Sequence, residues 1–407
     1  MALKKIPAIP ADSALTKALN LKEASGKEKW DFSFIDLFAG IGGFRLALES
    51  LGGNCVFSSE WDKQSQDTYE RNHGERPQGD ITKIDPFSIP DHDILTGGFP
   101  CQTFSLAGIT RLSSLGREHG MRDTTKGTLF GYTKEIITAK RPKMFILENV
   151  KNLKFHDEGR TFRTIVEHLQ GLDYEVSSSI QTSVWWVPQH RERMFIVGFD
   201  LQRFDPKSVQ ENWAFPDPPK LVDGRLPVMK DIMEKNPDER YRLTDLQWST
   251  LQNRFKGHQK GSSKPWGFSY DLNSEETIAK TLMADIKGGS ALLIQDDPTK
   301  NPRRPTPREC ARLMGFPDTF QTLQAQRLVQ KQFGNAVVPP LIRHIATAML
   351  RATDNFLPNL NPMPKDTILN VQVVAPEKKT GKNRKIVQKE PEVCCGLEQL
   401  FNEDQKT

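Results

Sequence analysis

From residue 32 onward the chain alternates short apolar runs with amphipathic ones. "FSFIDLF" reads as a buried strand and "GGFRLALESLG" as a helix with one apolar face, closed by Gly52 and Gly53; "NCVFSSE" reads as a second strand. "DKQSQDTYERNHG" follows as a helix with Asp62 at its N-cap. The pattern then repeats. Strand "HDILTGGFP" leads to helix "TLFGYTKEIITAKRP", stopped by Pro142, and then to strand "KMFILENV", helix "TFRTIVEHLQGLDY" and strand "RMFIVGF". Alternation of this kind up to about residue 200 predicts an α/β fold on a doubly wound, mostly parallel sheet.

Periodicity fades near residue 205. "NWAFPDPPKLVDGRLP" is proline-rich, and "RFKGHQKGSSKPWGFSYDL" mixes basic residues, Gly and Ser with aromatics. Order returns with "TPRECARLMGF", a helix with Thr306 as N-cap and Pro307 at its first position, and with "PPLIRHIATAMLRA". Beyond residue 356 the apolar pattern is lost, and "PEKKTGKNRKIVQKE" holds six basic and two acidic residues, as a solvated tail does.

At 407 residues, 37% hydrophobic and 26% charged, the chain can bury a core and divide into two domains. No run approaches the ~18 consecutive apolar residues of a membrane span. "MALKKIPAIPADSALTKALN" lacks the apolar core of a signal peptide, so a cytoplasmic protein without membrane contact is expected. The cysteines, at 55, 101, 310, 394 and 395, have no metal-ligand spacing and argue against a disulfide framework. Cys101 is therefore expected as a free thiol, and no metal is expected. The net charge of +5 suits a polyanionic partner without singling one out.

Three places carry candidate chemistry. In "FIDLFAGIGGF" a strand runs into Gly40, Gly42 and Gly43 and then a helix, the form of a nucleotide-binding turn. Glu60, twenty residues after Gly40, is placed to accept ribose hydroxyls, and Trp61 to stack on an adenine. The spacing is G-x-G-G, not G-x-G-x-x-G, which favours an adenosine ligand without a pyrophosphate, such as S-adenosylmethionine (SAM), with Asp80 of "RPQGDI" in reach of the adenine amine. The bland alternative is that the glycines serve only a tight turn.

Cys101, in "GGFPCQTFS", follows an apolar strand and so falls at the C-terminal edge of the sheet, where ligands bind. Taken alone, such a cysteine is more often inert. Glu148 of "FILENVKN" ends another apolar strand at the same edge, where desolvation can keep a carboxyl protonated; a strand-end Glu equally serves to cap a turn. Arg191 and Arg193 of "VPQHRERMFIVGF" alternate with Glu192, so both can point one way; a surface salt-bridge cluster is the even alternative. Together they set a nucleophile, a proton donor, guanidinium groups and an adenosine pocket along one rim.

"DLFAGIGGFRLALES", "SEWD", "GDI", "GFPCQTFSLAG", "GTLF", "ENVKNL", "PQHRER", "RRPTPRECARLMGFPD" and "QFGNAVVPP" resemble, in order, the motifs of the DNA (cytosine-5)-methyltransferase family. More narrowly, they resemble its bacterial members from restriction–modification systems and their orphan relatives. The resemblance spans residues 32–200 and 300–350. It implies a Rossmann-like SAM-dependent methyltransferase fold with a second, smaller target-recognition domain. The implied division is an N-terminal arm (1–29), a discontinuous catalytic domain (30–205 with 331–355), a recognition domain (206–330) and a C-terminal tail (356–407).

The same resemblance implies a cytosine flipped out of the duplex, attacked at C6 by Cys101, protonated at N3 by Glu148 and held at O2 by Arg193 with Arg191. SAM contacts are implied for Phe38, Gly40, Gly42, Glu60, Trp61, Asp80, Ile81, Pro100 and Asn335. Two departures stand out: Thr103, where Pro or Ala is usual, and Ala336, where Ser is common. The first lies beside the nucleophile without being a mechanistic group, and the second removes at most one polar contact. The variable segment would contact DNA, offering Arg254, Lys256, Lys260 and Lys264 to phosphates, interleaved with Trp266, Phe268 and Tyr270, and it holds Thr281-Leu282 where the family usually has a Thr-Leu pair. Residues 106–130 would form a lid. The implied partner is double-stranded DNA at a short site, shared with a possible cognate restriction endonuclease, and the enzyme would act as a monomer in the bacterial cytoplasm. Methylation of RNA, an inactive SAM- and DNA-binding protein, and an NAD-dependent dehydrogenase are the competing readings.

Overall fold

The first apolar run forms β1 (Phe32–Leu37), and its alternate residues face opposite layers of core. A computed structural model describes residues 31–100, 129–221, 224–259 (backbone alone at 254–259), 270–284 and 291–356. After β1 come α1 (Gly43–Glu49), β2 (Gly53–Ser59), α2 (Lys63–His73), β3 (Ile94–Gly98), α3 (Leu129–Lys140) and β4 (Met144–Val150). Then follow α4 (Arg160–Gln170), β5 (Tyr174–Thr182), the two-residue β6 (Gln189–His190) and β7 (Glu192–Asp200).

The main sheet has the order β2-β1-β3-β4-β7-β5. Pairs β1–β2, β1–β3 and β3–β4 are parallel, while β7 runs antiparallel to both β4 and β5. Five strands thus share one direction and β7 opposes them. The reversal has a simple cause: the link from Thr182 to Glu192 is shorter than the dozen or more residues a parallel crossover needs. Strand β5, "YEVSSSIQT", is not evident from its polar run; it lies at the sheet edge, where one ladder is missing and continuous apolarity is not required.

Both sheet faces are covered. Phe34, Ile146, Phe195 and Val197 point into one cluster with Phe44 and Leu48 of α1, while Ile35, Phe145, Leu147 and Ile196 point into another with Ile137 and Ile165. Period-2 alternation on β1, β4 and β7 therefore sorts side chains between the layers. The expected caps form. Asp62 Oδ1 accepts from Ser65 N at 2.9 Å, opening α2.

The later chain supplies α5 (Pro206–Asn212), α6 (Asp245–Gln259), β8 (Tyr270–Asn273), β9 (Ala279–Lys280), β10 (Ala291–Ile294) and α7 (Pro307–Leu313). Two small parallel pairs join β8 to β10 and β6 to β9. Thr306 and Glu309 close a reciprocal capping box at the start of α7. Glu309 also takes both ends of the buried Arg303 guanidinium at 2.7 and 2.8 Å. Met229, Ile232, Leu292, Ile294 and Cys310 share the cluster that contains Phe34, so one hydrophobic core runs from the main sheet into this region.

The last helices, α8 (Gln326–Asn335) and α9 (Pro339–Thr353), pack on α1 and α2. Gln332 Nε2 donates to Gln64 O at 2.9 Å, and Lys331 pairs with Asp62. Leu341, Ile345 and Met349 fill the cluster with Phe44 and Leu48. Among the described residues no helix is long and apolar enough to cross a membrane.

Candidate active site

Strands β1 and β3 are neighbours whose onward connections diverge, β1 to β2 on one side and β3 to β4 on the other. Such a switch point opens a crevice at the C-terminal strand ends. The turn after β1 is tight: Phe38, Gly40 and Gly42 all have positive φ, at 55°, 56° and 88°. Gly42 is compelled twice over, because a Cβ there would lie 2.1 Å from His73 Nε2. Among the described residues the space above Gly40 is open, with Phe38 O the nearest atom to a notional Cβ at 4.0 Å.

Glu60, just past β2, binds the turn from the other side. Its Oε2 accepts from Gly40 N and its Oε1 from Asp62 N, both at 2.8 Å. Burial pushes its carboxyl above the usual range, opposed by those backbone donors. Next to it Trp61 is 77% exposed, a large ring left uncovered at the crevice edge. The segment carrying Asp80 and Ile81 is brought alongside by Glu60 N donating to Gln78 O and Gln78 N to Ser58 O, at 2.9 and 2.8 Å. Asp80 Oδ1 caps the turn at Ile81–Lys83 by accepting from Thr82 N at 3.0 Å, and the Ile81 side chain is buried. Asn335, exposed, ends α8, and two residues on Val337 presses against the start of α1, 2.7 Å from a notional Gly43 Cβ. Phe38, Gly40, Gly42, Glu60, Trp61, Asp80 and Ile81 therefore gather at the ends of β1 and β2, with Asn335 on the helix that closes over α2.

At the end of β3, Gly98 pairs with Glu148 of β4. A Cβ on Gly98 would come 3.3 Å from Glu148 Oε2, so glycine keeps that oxygen uncrowded. The other oxygen, Oε1, accepts from Arg193 Nε at 3.0 Å, the two side chains being 11% and 16% exposed. Arg193 lies across from Val150 in the β4–β7 ladder, diagonal to Glu148. Burial raises the Glu148 pKa, and the nearby Arg193 and Arg191 charges only partly offset it. Burial likewise lowers Arg193, against the pull of Glu148. The outcome is a carboxyl biased toward its protonated form beside a fixed guanidinium.

Pro100 closes the described part of this rim. Cys101 comes three residues after Gly98 in sequence and lies outside the described residues, as do Thr103 and most of the expected lid. The same holds for Lys260, Lys264, Trp266 and Phe268, for the side chains of Arg254 and Lys256, and for the terminal arm and tail. Tyr270 opens β8, its ring centroid 5.1 Å from that of Trp248.

Arg191 precedes β7 by one residue and is 2% exposed. Its charge acts on Glu148 and Arg193, while its guanidinium donates to backbone carbonyls. Its Nη2 donates to Gly334 O at 3.0 Å and Ala336 O at 2.7 Å, and its Nη1 to Leu282 O at 3.5 Å. Three further residues join the site without having stood out in the sequence. Asn149 donates to Phe99 O at 2.7 Å, anchoring the segment that leads to Cys101. Gln189 donates to Leu313 O at 2.9 Å and accepts from Leu282 N at 2.7 Å. His73 lies under Gly42, its ring 4.5 Å from Tyr69. The one sequence signal for Asn149 is a polar residue inside an apolar run; Gln189 and His73 act through contacts with distant segments.

Comparison with known proteins agrees with this architecture. The family model for C-5 cytosine-specific DNA methylases matches residues 32–351. The chain is 45% identical over 327 residues to the type II methyltransferase M.NlaX of Neisseria lactamica, covering 79% of this chain and 97% of that protein. It is 44% identical over 330 residues to the type II methyltransferase M.DsaV of Dactylococcopsis salina, covering 80% and 88%. The crystal structure of the S. pombe Dnmt2 methyltransferase superposes with a TM-score of 0.58 at 16% identity, covering 80% of this chain and all of that one, a likeness of fold. On the strength of the family match and these relatives, the chain belongs to the C-5 cytosine-specific DNA methylases.

Proposed function

We propose that the protein methylates C5 of a cytosine in a short duplex DNA sequence, as the modification enzyme of a type II restriction–modification system or as an orphan counterpart. The observation that carries the mechanism is the partly buried Glu148–Arg193 pair at the end of β4, beside the β3 end that leads to Cys101.

Cytosine C5 is a weak nucleophile within a stacked base pair, and turning the base out costs a few kcal/mol. The Cys101 thiolate adds to C6 and makes C5 an enamine carbon. Glu148, whose pKa burial raises, gives its proton to N3 as negative charge develops on the ring. Arg193 holds O2 and stabilises the same charge. Loss of the C5 proton to a base such as water, return of the N3 proton to Glu148 and expulsion of the thiolate then release 5-methylcytosine.

The site suits SAM. The open space above Gly40, the Glu60 carboxylate braced on the turn and the bare Trp61 ring would hold its adenosine part, with Phe38, Gly42, Asp80, Ile81, Pro100 and Asn335 around it. When bound, SAM supplies an electrophilic methyl group. Residues 206–330 would then form the DNA-reading part, acting in a monomer.

The test is incubation with SAM and unmethylated DNA of mixed sequence, followed by bisulfite sequencing, with Cys101→Ser alongside. Methylation at one short motif, absent in the variant, is the expected result. Folded, SAM-binding protein that leaves no 5-methylcytosine would overturn the proposal.

A further inference from the structure

Residues 279–284 cross the region between the main sheet and the later chain, and their backbone is held on every side. Strand β9 pairs with β6 through Gln189–Ala279 and His190–Lys280. Thr281 Oγ1 donates to His190 O and Leu282 N to Gln189 Oε1, both at 2.7 Å. From α8, Gln330 Nε2 donates to Met283 O at 3.0 Å, and a Cβ on Gly334 would come 2.4 Å from Ala284 N. Arg191 reaches both halves of this clamp, Leu282 O on one side and the Gly334 and Ala336 carbonyls on the other. The side chains are treated differently from the backbone. Met283 is 44% exposed and Lys280 is exposed, while Leu282 is buried.

The choice of arginine follows from this geometry. A planar guanidinium can donate in several fixed directions and so span two segments; an ammonium is a point donor. Among the described residues Arg191 has no carboxylate in hydrogen-bond contact, and its buried Nε has no hydrogen-bond partner. Burying a charge is costly unless it is paired and hydrogen-bonded, and the hydrogen bonds here go to backbone carbonyls with the Glu148 charge near.

We propose that Arg191 is a positioning residue for sequence reading: it fixes the Thr281–Met283 turn to the strand that carries Arg193 and to the end of α8, and so helps to decide which sequence is methylated. This rests on the methyltransferase reading and on Thr281-Leu282 belonging to the DNA-reading region. It also removes Arg191 from the flipped base and leaves that task to Arg193.

The experiment compares the full-length protein with Arg191→Lys and Gln330→Leu on unmethylated mixed-sequence DNA, with bisulfite sequencing and thermal melts. Arg191→Lys keeps charge and stem but loses the bridge. The expected result is a relaxed motif, with discrimination at one or more base positions falling by about tenfold or more, the scale of one lost base discrimination. Uniformly slower methylation at an unchanged motif would overturn the inference. If Arg191→Lys does not fold, Gln330→Leu decides: it frees the Met283 carbonyl from α8, and an unchanged motif there sinks the idea. Unmodified protein giving no 5-methylcytosine would instead fail the methyltransferase reading itself.

Discussion

Glu148 shows what a single residue owes to its place. An apolar strand ending in Glu is visible in the sequence, and a raised pKa follows from burial, since desolvation disfavours the charged form. The proposed reaction needs Glu148 protonated, so kcat/KM should fall as pH rises through its pKa. Glu148→Gln stays neutral at every pH; its pH–rate profile should lose that limb while turnover drops about 10²–10⁴-fold, the usual contribution of a general acid. Stability carries the same sign. A folded pKa above the ordinary 4.5 means that the neutral carboxyl is favoured by folding, and that contribution fades as pH climbs above that value. Melting curves taken from pH 5 to 8 should therefore shift in favour of Glu148→Gln relative to the unmodified protein; a constant difference would show that Glu148 does not titrate there. Arg191 was less legible. Alternation puts it on the same side as Arg193, but its partners lie 91 to 145 positions away, and no local pattern announces them.

At the scale of elements, the turn after β1 and the end of α2 form one unit. His73 is the last residue of α2 and its ring fills the space beneath Gly42, where burial and the Arg45 charge push its pKa down to about 4. Gly42→Ala should be penalised both by φ at 88° and by overpacking, the latter alone costing about 1–3 kcal/mol, with loss of SAM affinity. Combining it with His73→Ala removes the clash but not the backbone strain, so the double variant should recover part of the melting temperature and SAM binding. Strict additivity, read by thermal melts and calorimetric titration of SAM, would disprove the contact. His73 itself favours the neutral state on folding, so its contribution is complete above its ordinary 6.5 and is lost as pH falls toward 4. The His73→Ala variant should lack that acid-side loss. The glycine spacing and the helix were plain in the sequence; their contact was not, since it joins segments 31 residues apart. For β5 and β7 the reverse holds: a short link determines the antiparallel pairing, although the polar run hides the strand.

For the whole molecule the decisive fact is that the late helices return to α1 and α2. Helices α8 and α9 contribute Val329, Phe333, Leu341, Ile342, Ile345, Met349 and Leu350 to the cluster built on Phe34, Phe44 and Leu48. Apolar periodicity shows that α9 buries a face, but cannot say against what; the answer lies some 300 residues earlier, in α1 and α2. Full burial of one such side chain is worth roughly 1.5–3 kcal/mol. A domain's net stability is only about 5–15 kcal/mol, so losing several at once exceeds the margin. A chain ending at Ala325 keeps every strand of the main sheet, yet should fail to give a cooperative melt. Single Ile345→Ala or Leu341→Ala changes should each cost about 2–5 kcal/mol while leaving the folded enzyme active, because neither touches the rim. Denaturant titration of the truncated and substituted proteins separates the cases. A cooperative transition in the 325-residue chain would mean that the main sheet folds without its late helices, and that α8 and α9 dock on a finished domain.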